Sequence, residues 1–535
     1  VRGLIVDCYE SRAKDRPVVC LVGRLESGET FGVLDDAPTP RLYVRESDLV
    51  RTRAVSATLS GHGARAALAE TSRRTMDGEP VWEVALSSGS FRAVRGLSDE
   101  LIRQGVRTYE GDVDAARTYL RERGIKAEIE IEGASRTSPH LARVFEAPKV
   151  SPAAGGVAAP LTCLALDIET DPSLERVLAI SLVRWGGGEP VEEVHVAGKG
   201  SAARAALSEE SLLRLFVARV KALDPDLLTG WNVIDFDFAV LLERLAHYRI
   251  EARLGRSAEP SRLRESKGYW GGSRVEIRGR QALDALRLVR ALPGRFDDLR
   301  LGTVSQALLG RGKTIAPEEW ESMPDLIEAK YEADPEAFAE YCLEDSRLVR
   351  DILRQEHLVE LSVARSKLVG LTMDRAWGSV APFENLYALD LARRQVVAPT
   401  RGVDAGDGEL APGGLVMEPK AGLYANILVF DFKSLYPSIM RTFNVDPLAH
   451  AVARAKPAVS DIVAPNGAPF ARERGLLPGS STSSPRRARP PSGKATRSSP
   501  TSTRSSSTPF TGCSGPKAAA SRRARSPARS RASGT

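Results

Sequence analysis

The chain has 535 residues, enough for three or four domains that each bury a core. Its 42% apolar content is ordinary for a globular protein, and no run of about 18 apolar residues is present, which excludes a transmembrane helix. The net charge of +6 is unevenly spread: residues from Ser480 onward carry 12 Lys/Arg and no acid, leaving 63 basic against 69 acidic residues before them. The body is therefore mildly acidic, and the overall charge says nothing about nucleic-acid binding. Five scattered cysteines form no CxxC pair, which predicts a reducing, cytoplasmic setting without a zinc site or disulfide framework. Charges in and beside the short apolar run at the N-terminus read against a secretory signal.

Residues 1–150 alternate short apolar runs with turn residues (VVCLVGRL, GETFGVL, RLYVRESDLV, EPVWEVAL) and predict a mostly β domain with some helix, as in RAVRGLSDELIRQG. The small-residue stretch SPAAGGVAAP, 151–160, reads as a linker. An α/β pattern follows over 156–366, with strands LTCLALDIE and RVLAISLV and the amphipathic helix FAVLLERLAHYRI. A third region, 367–479, contains the predicted strand YANILVFDF at 424–432. The last region, 480–535, is rich in Ser, Arg, Pro and Ala and predicts disorder.

Three segments of the α/β region carry chemistry. LALDIETD places Asp167 and Glu169 at i and i+2 of a buried strand, so both carboxylates leave the same face. Two adjacent carboxylates repel unless a cation neutralises them, and hard divalent ions suit oxygen ligands. GWNVIDFD reads as a strand, a turn around Asn232 and a helix beginning near Asp237, where the bland alternative is a helix cap. EYCLEDSRL spaces Tyr341 and Asp345 one helical turn apart, on one face. LLGRGKTI, 308–315, imitates the end of a phosphate-binding loop but has Ala307 where the motif needs glycine, and reads as an exposed turn after a helix.

The series D-x-E, N-x-x-x-F-D, Y-x-x-x-D resembles the three exonuclease motifs of family B DNA polymerases, whose 3′→5′ proofreading domain has an RNase H-like fold. GWNVIDFD followed by LLERLAHYRIEARLGR is similar to the bacterial DNA polymerase II branch. The resemblance implies that Asp167, Glu169, Asp237 and Asp345 hold two Mg²⁺ or Mn²⁺ ions for in-line phosphodiester hydrolysis. It also implies that Tyr341 orients the attacking water and that Asn232 positions the DNA strand end. DFKSLYPSI resembles motif A of the polymerase palm. There it implies metal binding by Asp431, nucleotide contacts from Phe432, Ser434 and Leu435, and exclusion of a 2′-hydroxyl by Tyr436. Gly413 and Gly414 are similar to the family's Gly-Gly loop that contacts DNA.

The fold implied is thus multidomain, α+β and α/β: a mostly β N-terminal domain, an RNase H-like exonuclease domain, an incomplete palm and a disordered tail. The partners implied are primer-template DNA, a single-stranded 3′ end, dNTPs for a full-length parent and a sliding clamp reached through a missing C-terminus, with no membrane and a nucleoid-associated location. Motif B and motif C do not appear, so this chain is expected to hydrolyse DNA but not to polymerise it. Arg504 and residues 505–516 can be encoded by DNA whose neighbouring frame reads Lys-Ile-Leu-Ile-Asn-Ser-Phe-Tyr-Gly-Val-Leu-Gly, which is similar to motif B. A frameshift near Gly479 is therefore expected. The alternative is a non-catalytic nucleic-acid-binding fragment whose basic tail contacts phosphates.

Overall fold

The computed structural model describes residues 1–480, apart from 14–15, 60–64, 87–89, 199–206, 266–271, 293–295, 313–328, 404–416, 419, 431, 433 and 460–461. Asp431, Gly413, Gly414 and the 480-onward tail with its concealed motif, Ser480 itself excepted, thus lie outside the described residues. The chain divides into two compact units, 1–400 and 401 onward.

In the first unit, the expected β domain is a seven-stranded sheet beginning with the antiparallel pair Arg2–Ala13 and Arg16–Leu25, beside a four-stranded sheet. The helix expected in RAVRGLSDELIRQG is Phe91–Arg103, started by Ser90, whose hydroxyl accepts from the Ala93 N–H. Residues 367–400 also pack in this unit. Val396 and Pro399 form β-bridges to Arg74 and Tyr109, and the buried Thr400 hydroxyl oxygen accepts from Gly111 N–H and Thr108 Oγ1, both at 3.0 Å.

The α/β portion is a five-stranded sheet centred on Thr162–Thr170. Val177–Gly186 and Val191–Val196 extend it antiparallel on one side, and Leu227–Gly230 and Gln281–Asp284 extend it parallel on the other. Alternation divides the central strand between two cores. Leu164, Leu166 and Ile168 pack with helices Glu209–Leu223 and Asp237–His247, whereas Cys163 and Ala165 pack with the long helix Pro335–Gln355. Asp167 and Glu169 continue the second row, toward the long helix. Asp226 sets the lower end of this strand: its Oδ2 accepts Thr162 N–H at 2.8 Å and Arg24 Nε at 2.9 Å, while its Oδ1 accepts Arg256 Nη1 at 2.8 Å. So buried an ion-pair network contributes position more than net stability.

The second unit is small. Ala449 and Ala453 of helix Pro447–Ala455 pack on Phe470 and Ala471. Asp446 caps that helix at Leu448 and Ala449, and its other oxygen accepts Leu477 N–H at 2.9 Å. The described residues of the stretch 424–432 do not form the expected strand. Residues 424–430 and 432 carry no strand pairing among the described residues, and Ile427, Leu428, Val429, Phe430 and Phe432 are exposed. A strand is held by hydrogen bonds to its neighbours, and no described strand adjoins this segment.

Candidate active site

The long helix begins at Asp334-Pro335: the Asp334 carboxylate accepts Ala337 N–H at 3.0 Å and proline occupies the first turn. Its buried residues Phe338, Tyr341, Cys342, Asp345, Leu348, Val349 and Ile352 recur at three- and four-residue intervals, one face laid against the sheet. That face carries Asp345 to the central strand. Oxygens of Asp167, Glu169 and Asp345 lie within 4.8 Å of one another, with Glu169 and Asp345 buried and Asp167 half-buried. Tyr341 sits one turn before Asp345 and is buried on the same face.

Asp237, the fourth expected ligand, stands beside this trio rather than in it. It opens helix Asp237–His247, is buried, and its Oδ1 accepts the Ile168 N–H at 3.0 Å, from the strand residue between Asp167 and Glu169. Burial, followed by the nearby Asp167 carboxylate, holds Asp237 well above the ordinary aspartate range. Burial likewise pushes up the Cys342 thiol, and Glu169, Asp167 and Asp345 push it further, a sign of how much negative charge the site concentrates. Asn232 adopts a left-handed backbone, φ 59°, at the turn after Leu227–Gly230. The neighbouring Trp231 donates Nε1–H to Leu299 O at 3.1 Å.

One contributor escaped the sequence reading. Asp284, buried at the end of its strand, accepts Ile234 N–H and Arg287 N–H, both at 3.3 Å, and so fixes the loop that delivers Asp237. Its only sequence signal is an aspartate just before ALRLVR, which reads as a helix cap. Of the rejected phosphate-loop segment, Leu308 and Leu309 end helix Leu301–Leu309, Gly310 follows with φ 71°, and residues 313–315 lie outside the described residues.

The described motif A residues form no comparable cluster. Ser434 has φ 56° and precedes helix Leu435–Thr442; Phe432, Leu435 and Tyr436 are exposed.

Three buried or half-buried oxygen donors converging on one point fit a hard divalent cation, because such charge is costly without one. Residues 106–292 match the family description "DNA polymerase family B, exonuclease domain", and residues 386–456 match "DNA polymerase family B". The chain is 33% identical over 388 residues to DNA polymerase II of Escherichia coli (strain K12), covering 71% of this chain and 47% of that protein. It is 26% identical over 475 residues to a DNA polymerase of Thermococcus sp. (strain 9oN-7), covering 83% and 54%. The chain thus spans about half the length of these curated relatives. The solved family B DNA polymerase of the archaeon Pyrobaculum calidifontis superposes with a TM-score of 0.71 at 22% identity, over 90% of this chain and 62% of that one, a likeness of fold. The chain carries family B DNA polymerase domains: an N-terminal β domain, the exonuclease domain and part of the palm.

Proposed function

We propose that the chain is a divalent-metal-dependent 3′→5′ exonuclease acting on DNA, the proofreading part of a DNA polymerase II-like enzyme. The observation that carries this reading is the convergence of Asp167, Glu169 and Asp345 from a strand and a helix far apart in sequence. Mg²⁺ or Mn²⁺ bound there would neutralise the carboxylates and make a water easier to deprotonate, so that its oxygen can attack phosphorus. Asp167, Glu169 and Asp345 would hold the metal. Asp237, anchored at Ile168, closes the negative pocket from the side, and Tyr341 orients the incoming water. Asn232 aligns the 3′ end. Domain limits of 1–150, 156–366 and 367–479 accompany this reading, with residues 367–400 packing in the first unit.

In the full-length parent, Asp431 would hold metal for nucleotide addition, Phe432, Ser434, Leu435 and Tyr436 would contact a dNTP, and Gly413-Gly414 would contact DNA. The parent would work on primer-template DNA in the cytoplasm, nucleoid-associated, with a sliding clamp as partner. Among the described residues no helix is long and apolar enough to cross a membrane.

The test is degradation of a 3′-labelled single strand with Mg²⁺. The purified chain is expected to shorten it from the 3′ end, and Asp167→Ala with Glu169→Ala to lose at least about 10³-fold of that activity, the scale on which a metal centre accelerates hydrolysis. Equal, negligible activity in both proteins would favour a non-catalytic DNA-binding fragment.

A further inference from the structure

Ser181 faces Asp167 directly across the antiparallel pair formed by the central strand and its neighbour. Ser346 follows Asp345 on the long helix. Both serines are fully buried, and their hydroxyls share a hydrogen bond of 2.7 Å. The bond therefore joins the position paired with one carboxylate to the position adjoining another. Resting on the metal-centre reading above, we propose that Ser181 and Ser346 are a positioning pair that sets where the long helix stands along and about its axis, and so where Asp345 stands relative to Asp167 and Glu169.

Apolar residues of that helix face such as Phe338, Leu348, Val349 and Ile352 pack by shape and tolerate small offsets. A hydrogen bond does not: its strength falls steeply with distance and angle. A serine hydroxyl hangs on one rotatable bond, so little slack separates the strand from the helix. Neither hydroxyl can give up the other cheaply, because each would then be buried unpaired. Further polar ties between helix and sheet, Arg347 Nε to Glu192 at 2.8 Å and Arg350 to the same carboxylate, join long, partly exposed side chains at the edge strand and allow more play. Neither serine touches substrate in this account. They act through Asp345.

The test is calorimetric titration of the whole chain with Mn²⁺, comparing wild type, Ser181→Ala, Ser346→Ala, the double variant and Ile352→Val. Ile352 lies on the same helix, is fully buried and stands apart from the serine contact, so its substitution reports the effect of a loosened core alone. Each serine variant is expected to bind Mn²⁺ about tenfold more weakly, as when the outer partner of a metal ligand is removed. The double variant should be no weaker than either single one, since the two act as a unit, and Ile352→Val should bind like wild type. Three outcomes would overturn the proposal: wild-type affinity in the serine variants, single effects that multiply in the double variant, or an equal loss in Ile352→Val. Should either single variant not fold, the double variant, which leaves no lone hydroxyl, decides between about tenfold loss and none. Wild type that binds no Mn²⁺, or Asp167→Ala that binds as wild type does, would instead overturn the metal centre itself, and the pair's role with it.

Discussion

Two apolar stretches ending in an acidic motif meet opposite fates in this molecule. LTCLALDIET is the middle strand of five, with Leu164, Leu166 and Ile168 buried on one side and Cys163 and Ala165 on the other. NILVFDF is similarly apolar, yet no described strand pairs with it, and the side chains of residues 426–430 and 432 face solvent. What separates them is neighbours. Strand partners for the first arise within the following 60 or so residues (Val177–Gly186 and Leu227–Gly230), and none is described for the second. Apolar pattern specifies a face to bury, whereas the rest of the chain supplies what buries it.

The two stretches should differ most at aromatic residues. Phe338→Ala, on the buried face of the long helix, is expected to cost the first unit about 3–5 kcal/mol. Phe430→Ala, at an 87% exposed position, should stay within about 0.5 kcal/mol. Denaturant unfolding of both variants measures the contrast, and similar costs would mean that the second stretch is buried after all.

A smaller effect lies in pH. Burial raises the Asp7 carboxyl to about 6, against the Gly279 N–H and Arg278, which favour its ionised form. The folded chain then binds more protons at this site than the unfolded chain between pH 3.8 and about 6, so its contribution is complete below 3.8 and is lost as pH rises through 6. The loss is on the order of 2–3 kcal/mol. Asp7→Asn should flatten that part of the stability curve of the first unit; an unchanged slope would place the titration elsewhere.

The gentlest contrast is colloidal. Exposed Ile427, Leu428, Val429 and Phe430 offer unpaired backbone and apolar surface for association. A chain ending at Thr400 should scatter less light at equal concentration than one ending at 480. Ending at Arg365 instead would remove Leu371, Met373, Leu391 and Val397 from the first unit's buried positions, so that shorter chain is expected to be the less stable of the two truncations. Thermal unfolding ranks them.

Much of the site was legible because its signals are local. The i, i+2 pair Asp167 and Glu169 on a strand, and the i, i+4 pair Tyr341 and Asp345 on a helix, need only backbone periodicity to share a face. The meeting of those two faces was supplied by resemblance, not by spacing. Less visible were the contacts that aim the groups. Asp237 turns to the Ile168 N–H, Asp284 holds the Asp237 loop, and Ser181 meets Ser346 across 165 residues. No sequence interval encodes such pairs, because each depends on which strands become neighbours. The failure at 424–432 has the same origin, since a correct apolar reading still lacked the partners that make a strand.

If strand and helix carboxylates form one metal-dependent centre, changes confined to the helix must separate its aspartates. Asp345→Ala and Asp351→Ala both remove one aspartate from Pro335–Gln355, but Asp351 is half-buried, bonded to Arg350 and paired with Arg311, outside the carboxylate trio. Mn²⁺-dependent shortening of a 3′-labelled single strand should fall by at least about 10²-fold in Asp345→Ala and stay within about twofold in Asp351→Ala. Equal activity in the two variants, whether lost or kept, would contradict the account.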